Sequence, residues 1–532
     1  MDLAKAPLVL DKIHRTIVDT PNAVAIVDLS TETPVQLTYE QLNDLADRCA
    51  ARLLQLGIEA GEPVAYQLPG GWEFIVLTLA LWRISAVPCP LLPSLREREA
   101  AFILKSSRSR VFIVPDSFRK FDYPSMVETL RPDVPNLEHV FILNMSERNP
   151  EYSNIGGLLA KTPVSTAALQ AVRAKSTTYA QLLYTSGTTG EPKGVLHTHQ
   201  SLSSALLAHT RTLGLQSSDK IWIPSPLAHQ TGFLYGMMVS FYIGATAIVQ
   251  AVWNVDTARI AIEEFGATFV QAAMPFLADL TKNPRPPKGL RLFIATGAAI
   301  PRQLAQQARS ALDCTIVGAW GSTEACLVTV GRPSDAVEKL WGTDGRVIDG
   351  MQIRIVDENG MVLPAGHEGN FQIKTPAMFL TYLHHHEWYE EGFSDDGYFD
   401  TGDLAVIDED GYLRITGRKK DVVNRGGEKI PVVEIEDLLY QHEAIADAAV
   451  VAMPDNRLGE RACLYIVVND KFPAPALDDV RRFLANQGMA KIYWPERLET
   501  ISEMPRTASG KIQKYILRND IVEKLSHSTQ NV

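Results

Sequence analysis

Short apolar runs alternate with helical stretches through the first two thirds of the chain, and few architectures accept that rhythm other than largely parallel sheets covered by helices. Apolar runs at 63–68 and 111–114 alternate with helical segments such as Tyr39–Gln55. A second set of strand candidates follows at 245–249, 268–271, 292–295 and 315–317. From about Met351 the runs become short β segments (352–356, 369–374, 404–408, 412–416) parted by Gly and Asp turns, which predicts a small β subdomain. After Arg418 a charged, glycine-bearing segment leads into a helix candidate at 433–442 and strands at 448–453 and 463–468. The expected fold class is therefore α/β: a large N-terminal domain of two α/β subdomains plus a small β subdomain, hinged to a small α+β C-terminal domain.

At 532 residues the chain exceeds what one hydrophobic core serves, and 46% hydrophobic with 21% charged residues is globular composition. The net charge of -11 excludes general affinity for nucleic acid or anionic membranes, so any anionic ligand must meet a local basic cluster. The five cysteines form no CxxC pair, which predicts small buried side chains rather than a disulfide frame or a zinc site. The N-terminal segment, with Asp2 and Asp11 around a very short apolar run, is unlike a secretory signal, and cytoplasmic residence is expected. Residues 221–255 carry no Asp, Glu, Lys or Arg, which raises a membrane span. Pro224, Pro226, Gln230, Gly232, Gly236 and Gly244 interrupt the stretch and predict a buried loop, helix and strand instead.

Five motifs carry candidate chemistry. Tyr184-Thr-Ser-Gly-Thr-Thr-Gly-Glu-Pro-Lys-Gly194 follows an apolar run; Thr185, Ser186, Thr188 and Thr189 offer hydroxyls, Gly187, Gly190 and Gly194 permit close backbone approach, and Lys193 adds a charge. Such a loop can hold a polyphosphate, or be a hydroxyl-rich surface turn. It lacks the Gly-Lys-Ser/Thr succession of a Walker loop. In Trp320-Gly321-Ser322-Thr323-Glu324, Thr323 can hydrogen-bond a phosphate and Glu324 can ligate Mg²⁺. Asp403, closing Tyr398-Phe-Asp-Thr-Gly-Asp, can accept both hydroxyls of a ribose or simply cap a turn. Arg418, Lys419, Lys420, Arg425 and Lys429 crowd 418–429, as a ligand site or a solvated face. Lys511 ends the loop Pro505-Arg-Thr-Ala-Ser-Gly-Lys; alone it would be a surface lysine.

Taken together, in this order and from Leu37-Thr-Tyr-Glu-Gln-Leu42 to Lys511, the five resemble the adenylate-forming superfamily of acyl-CoA synthetases, aryl-acid adenylating enzymes, peptide-synthetase adenylation domains and firefly luciferase. The resemblance implies a two-step reaction: ATP and a carboxylic acid give an acyl-adenylate, and the acyl group then passes to a thiol. It implies that the 185–193 loop holds the ATP phosphates and that Gly297, Ala298, Ala299 and Trp320 flank the adenine. Asp403 is implied to bind the ribose with Arg418 nearby, Thr323 to touch the α-phosphate and Glu324 the Mg²⁺. Trp320 departs from the tyrosine of many relatives. Further implications are a domain over 1–418, a hinge at 419–420 centred on Lys420, and a mobile C-terminal domain over 421–532. That domain brings Lys511 between carboxylate and α-phosphate, then turns to present Gly426 and Gly427 as a thiol channel. A carboxylate attacking a polyanion needs cations and oriented donors rather than a covalent nucleophile, so Ser186 is not expected to be one.

The acid should bind around Pro224-Ser-Pro-Leu-Ala-His229-Gln230-Thr-Gly-Phe233 and the helix after it. Amino-acid-activating relatives place an aspartate here and this chain has none; relatives that take dihydroxybenzoate have Asn where it has Gln230. Gly232, Gly236, Ser240 and Gly244 form one small-residue stripe, either a furrow for an acyl tail or a close helix contact. On the furrow reading, Gly236→Leu shortens the preferred acid. His229 is a site residue or a hydrogen-bonded core histidine. His384, His385 and His386 are expected in a solvent-exposed loop rather than at a metal site. The nearest resemblance is to medium-chain fatty-acyl and cyclohexanecarboxylate CoA ligases, which implies a neutral-tailed acid and CoA. The alternatives are an aryl-acid ligase loading the phosphopantetheine of a carrier protein, and an inactive homologue that only binds. Few residues follow Lys511, so no fused carrier domain is expected.

Overall fold

The computed structural model describes residues 2–144, 153–154, 156–159, 169, 174–185, 192–296, 302–426, 428–507 and 511–529. Tyr39–Gln55 is a helix, and its start is fixed by Thr38: the hydroxyl accepts from the Gln41 N–H at 3.2 Å while the Gln41 side chain accepts from the Thr38 N–H at 2.9 Å. Pro63–Tyr66 and Val111–Pro115 join Val87–Pro90, His139–Leu143 and Ser153–Asn154 in a five-stranded parallel sheet.

The second sheet has nine strands, and its centre runs parallel in the order Thr315–Ser322, Leu292–Thr296, Phe269–Ala273, Lys220–Ile223, Thr246–Val249. Antiparallel pairings at both edges close it. Each central strand is buried along most of its length, as expected for a sheet covered on both faces. The β subdomain is a four-stranded antiparallel sheet, Gln352–Val356, Gly369–Lys374, Phe399–Ile407 and Leu413–Arg418. The smaller C-terminal part builds its own sheet around Ile445–Asp455 and Gly459–Val468, with the helices Val432–Leu439, Leu477–Asn486 and Lys514–Thr529 beside it and separate cores of its own.

The uncharged stretch 221–255 resolves into a strand, a helix-like run from Gln230 to Ile243 and the strand Thr246–Val249, all inside the main core. Gly244 ends the run in the left-handed region, φ 73°, which a side chain would strain. Among the described residues no helix is long and apolar enough to cross a membrane. All five cysteines are buried and unpaired, as expected.

Candidate active site

Four neighbouring parallel strands end on one edge of the nine-stranded sheet, and a cleft lies beyond those ends. Ser225 and Pro226 follow Lys220–Ile223, Gln271 and Ala273 belong to Phe269–Ala273, Thr296 ends Leu292–Thr296, and Gly321 to Thr323 lie at the end of Thr315–Ser322. The carboxyl edge of such a sheet is where open α/β folds bind ligands, because the loops there are free to vary while the strands hold them fixed. His229 and Gln230 line the same cleft from the start of the following helix.

Lys511 enters from the C-terminal part and lines the cleft with Thr323, Ser322 and His229. Its loop is closed by two hydrogen bonds, Lys511 N–H to the Thr507 hydroxyl at 3.1 Å and Thr507 N–H to the Lys511 carbonyl at 2.8 Å. Protein surrounding the ammonium pulls its pKa below the ordinary lysine range, and Arg418 adds repulsion; the carboxylates of Asp403 and Glu324 act in the opposite sense. The side chain nevertheless remains open to water from the mouth of the cleft.

His229 is held neutral, its pKa lowered to about 4 by burial and by the Lys511 charge. Its Nδ1 accepts from the Thr231 N–H at 3.2 Å, capping the helix start and leaving the proton on Nε2. The Thr323 loop is pinned by a residue the motifs did not point to. His197 Nε2 meets the Thr323 carbonyl at 2.7 Å and its Nδ1 meets the Ser201 hydroxyl at 2.9 Å. Burial lowers the pKa of His197 to about 4, so a single proton sits on Nε2 and Ser201 donates to Nδ1. A signal existed in the sequence: a histidine inside the apolar strand Lys193–Thr198 needs a partner once buried.

Glu324 and Lys193 are joined through aromatic rings. The Tyr382 hydroxyl donates to Glu324 Oε1 at 3.1 Å, and Lys193 Nζ lies 5.1 Å from the centre of the Tyr382 ring and 4.6 Å from that of Trp388. Lys193 pairs across the strands with Thr185, so both ends of the expected phosphate loop are placed. Ser186, Gly187, Thr188, Thr189 and Gly190, and likewise Gly297, Ala298, Ala299 and Gly427, lie outside the described residues. His384 and His385 are in the exposed turn expected of them, and His386 begins the short helix after it. No group of three or more His, Cys, Asp or Glu that could hold a metal occurs among the described residues. Mg²⁺ takes one or two carboxylates and completes its shell with phosphate and water, so the tethered Glu324 carboxylate fits it.

Asp403 is buried with both oxygens engaged. Oδ2 accepts from the Trp320 indole N–H at 2.9 Å, and Oδ1 pairs with Arg418 Nε at 2.9 Å. The Trp320 ring packs edge-on to Phe371, with centres 4.7 Å apart. The tryptophan that departs from relatives thus supplies an N–H that orients the expected ribose carboxylate. Each oxygen keeps a second lone pair for a ribose hydroxyl.

The small-residue stripe is a packing contact, which corrects the furrow reading. A Cβ on Gly232 would lie 2.3 Å from the Pro226 carbonyl oxygen, and one on Gly236 would lie 2.6 Å from the Ile223 side chain. Ser240 is fully buried and donates to the Gly236 carbonyl at 2.8 Å. None of the three lines the cleft, whereas Gln230 does, together with Gln271, Tyr235, Phe276 and Cys326. The basic cluster is also less free than its sequence suggests: Arg425 pairs with Glu496 at 2.8 Å, Lys419 with Asp400 at 2.6 Å, and Lys429 lies 3.8 Å from Glu358. Gly426 sits at φ 61° and donates its N–H to the Leu458 carbonyl at 2.8 Å.

A mixed α/β fold with a large N-terminal and a small C-terminal domain, and a cleft between them, defines an acid-activating ligase of the AMP-forming class. The chain belongs to the family of AMP-binding enzymes, whose profile matches residues 13–383, with the AMP-binding enzyme C-terminal domain matching 434–511. It is 36% identical to a medium-chain fatty-acid–CoA ligase of Escherichia coli strain K12, over 95% of this chain and 89% of that one. It is 30% identical to a 2,3-dihydroxybenzoate-AMP ligase of Bacillus subtilis strain 168, over 92% and 89%. Among solved structures it resembles the anthranilate CoA ligase AuaEII in complex with anthranoyl-AMP, with a TM-score of 0.88 at 25% identity, covering 99% of this chain and 100% of that one.

Proposed function

We propose that this enzyme activates a carboxylic acid with a compact, uncharged acyl group and passes the acyl group to CoA. The observation that carries the reading is Lys511, the one Lys or Arg among the described residues lining the cleft, brought there by the C-terminal part. No carboxylate lines the cleft among those residues either, so nothing there would hold the ammonium of an amino acid. Because Gly236 is wedged on Ile223, the helix offers no furrow to a long straight tail, which favours alicyclic or short to medium acyl groups over longer ones.

In the first step a carboxylate oxygen of the acid attacks the α-phosphorus of ATP and pyrophosphate leaves. Lys511 bridges the two anions, whose approach raises its pKa again, and thereby cancels repulsion that otherwise opposes attack. Thr323 donates to the α-phosphate from a loop that His197 holds still, His229 offers its Nε2–H, and Asp403 fixes the ribose. Mg²⁺ held through Glu324 would neutralise phosphate charge. In the second step a thiolate attacks the acyl carbonyl and AMP leaves.

The domain boundary falls within 418–420 on this reading. Arg418 and Lys419 are paired to Asp403 and Asp400 of the β subdomain, while Arg518 of the last helix donates to the Lys420 carbonyl at 2.7 Å and pairs with Asp421 at 2.8 Å. Anchors on both sides leave the pivot between Lys419 and Lys420. ATP–pyrophosphate exchange over a panel of carboxylic acids, followed by thioester assay with CoA and with a carrier protein, tests the proposal. Exchange with no acid would support the inactive homologue, and transfer only to a carrier protein the aryl-acid alternative.

A further inference from the structure

Two amide side chains in the cleft have no use in the chemistry above. Gln230 is 4% exposed and Gln271 is 5% exposed, and both line the cleft. The Oε1 of each is buried without a hydrogen-bond partner among the described residues. Gln230 Nε2 reaches only the Cys326 thiol, at 3.7 Å. Turning that amide over exchanges its oxygen and nitrogen but still leaves one end facing nothing better than sulfur. The Tyr235 hydroxyl lies beside the Leu327 N–H and the Cys326 thiol, outside good hydrogen-bonding geometry, and faces the same space.

Buried amides left unpaired cost about 1–3 kcal/mol each, so a folded protein retains them where something supplies the partner. A purely hydrocarbon acyl group would leave both amides unpaired, whereas an acyl group bearing a hydroxyl would supply the partner. A hydroxyl also suits the set better than an amine, because it donates to an amide oxygen and accepts from a tyrosine hydroxyl or an amide N–H at once.

The geometry points to a hydroxylated acid as the substrate: a compact carboxylic acid whose acyl group carries an uncharged hydroxyl that hydrogen-bonds Gln230 and Gln271. This rests on the acid-activating reading and narrows its substrate class. Gln230 and Gln271 are then the residues that set specificity.

The test is ATP–pyrophosphate exchange by the full chain with three matched pairs: hexanoate and 3-hydroxyhexanoate, cyclohexanecarboxylate and 2-hydroxycyclohexanecarboxylate, benzoate and salicylate. The kcat/KM of the hydroxylated member should exceed that of its parent by on the order of tenfold to a hundredfold in at least one pair, as expected when one hydrogen bond to a buried polar group is made or missed. In Gln271→Leu that ratio should fall about tenfold or more. Parent acids activated as well as or better than their hydroxylated partners in every pair would overturn the inference while leaving acid activation standing. Exchange with none of the six would overturn both. Should Gln271→Leu fail to fold, the wild-type ratios decide alone; a folded Gln271→Leu with an unchanged ratio would remove Gln271 from the site.

Discussion

On the N-terminal side, the groups proposed to act on ATP are each tied down at a second point. Thr323 is held by His197, Asp403 by Trp320 and Arg418, Glu324 by Tyr382, and His229 caps a helix. Lys511, on the opposite side, sits on a loop held by contacts within the C-terminal part, Lys511 N–H to the Thr507 hydroxyl and Gln513 N–H to the Pro505 carbonyl among them, and among the described residues no hydrogen bond or ion pair ties its ammonium to the wall it faces. On the proposed function the wall stays in place, while the cation arrives for one step and leaves for the other. Changes in the wall should therefore damage stability or both half-reactions, and changes in the arriving lysine only one.

The most damaging wall change is Gly236→Leu. Its side chain would be driven into Ile223, and overpacking of this kind costs about 3 kcal/mol or more. The variant should yield little folded protein by circular dichroism. A folded variant that merely prefers shorter acids would restore the furrow.

The buried histidines predict a stability that fails in acid. Burial holds His197 and His199 at a pKa of about 4 and His209 at about 3, against about 6.5 in an unfolded chain. Below pH 6.5 the unfolded state binds protons that the folded state refuses. Their contribution is thus complete above that pH and lost as pH falls toward 4. Tm should drop between pH 7 and pH 5, and His197→Gln should remove about 2 kcal/mol of that pH dependence at most. An unchanged slope would mean that His197 takes up its proton in the fold as readily as in the unfolded chain.

Trp320→Phe is the mildest of the wall changes. It keeps an aromatic ring but takes the N–H from Asp403 Oδ2, so ribose binding should weaken about tenfold. Because ATP and the acyl-adenylate share that ribose, KM should rise in both half-reactions. A rise in neither would make the Asp403 contact incidental.

Much of this wall was legible in the sequence, because it hangs on local motifs. The strand before Trp320-Gly-Ser-Thr-Glu324 and the turn at Asp403 each read directly from apolar runs and Gly-Asp punctuation. What could not be read depends on contacts between distant segments. Tyr382 reaches Glu324 across 58 residues and His197 reaches Thr323 across 126. The stripe of Gly232, Gly236 and Ser240 stays open between furrow and packing contact in the sequence, because periodicity tells which positions share a helix face but not whether that face meets ligand or backbone. Gln271 escaped notice for the opposite reason: a lone amide in an apolar strand has no motif around it.

On the proposed function Lys511 serves adenylation alone, and the chain turns about Lys420 before transfer. Pre-steady-state assay of the two half-reactions on Lys511→Ala, with Lys420→Pro as counterpart, tests it directly. Lys511→Ala should slow acyl-adenylate formation on the order of a hundredfold or more, yet form thioester from supplied acyl-adenylate at nearly the native rate. Lys420→Pro, with φ fixed at the pivot, should impair transfer more than adenylation. Equal losses in both steps for Lys511→Ala would contradict the alternation and reduce Lys511 to a contact that merely holds the two domains together.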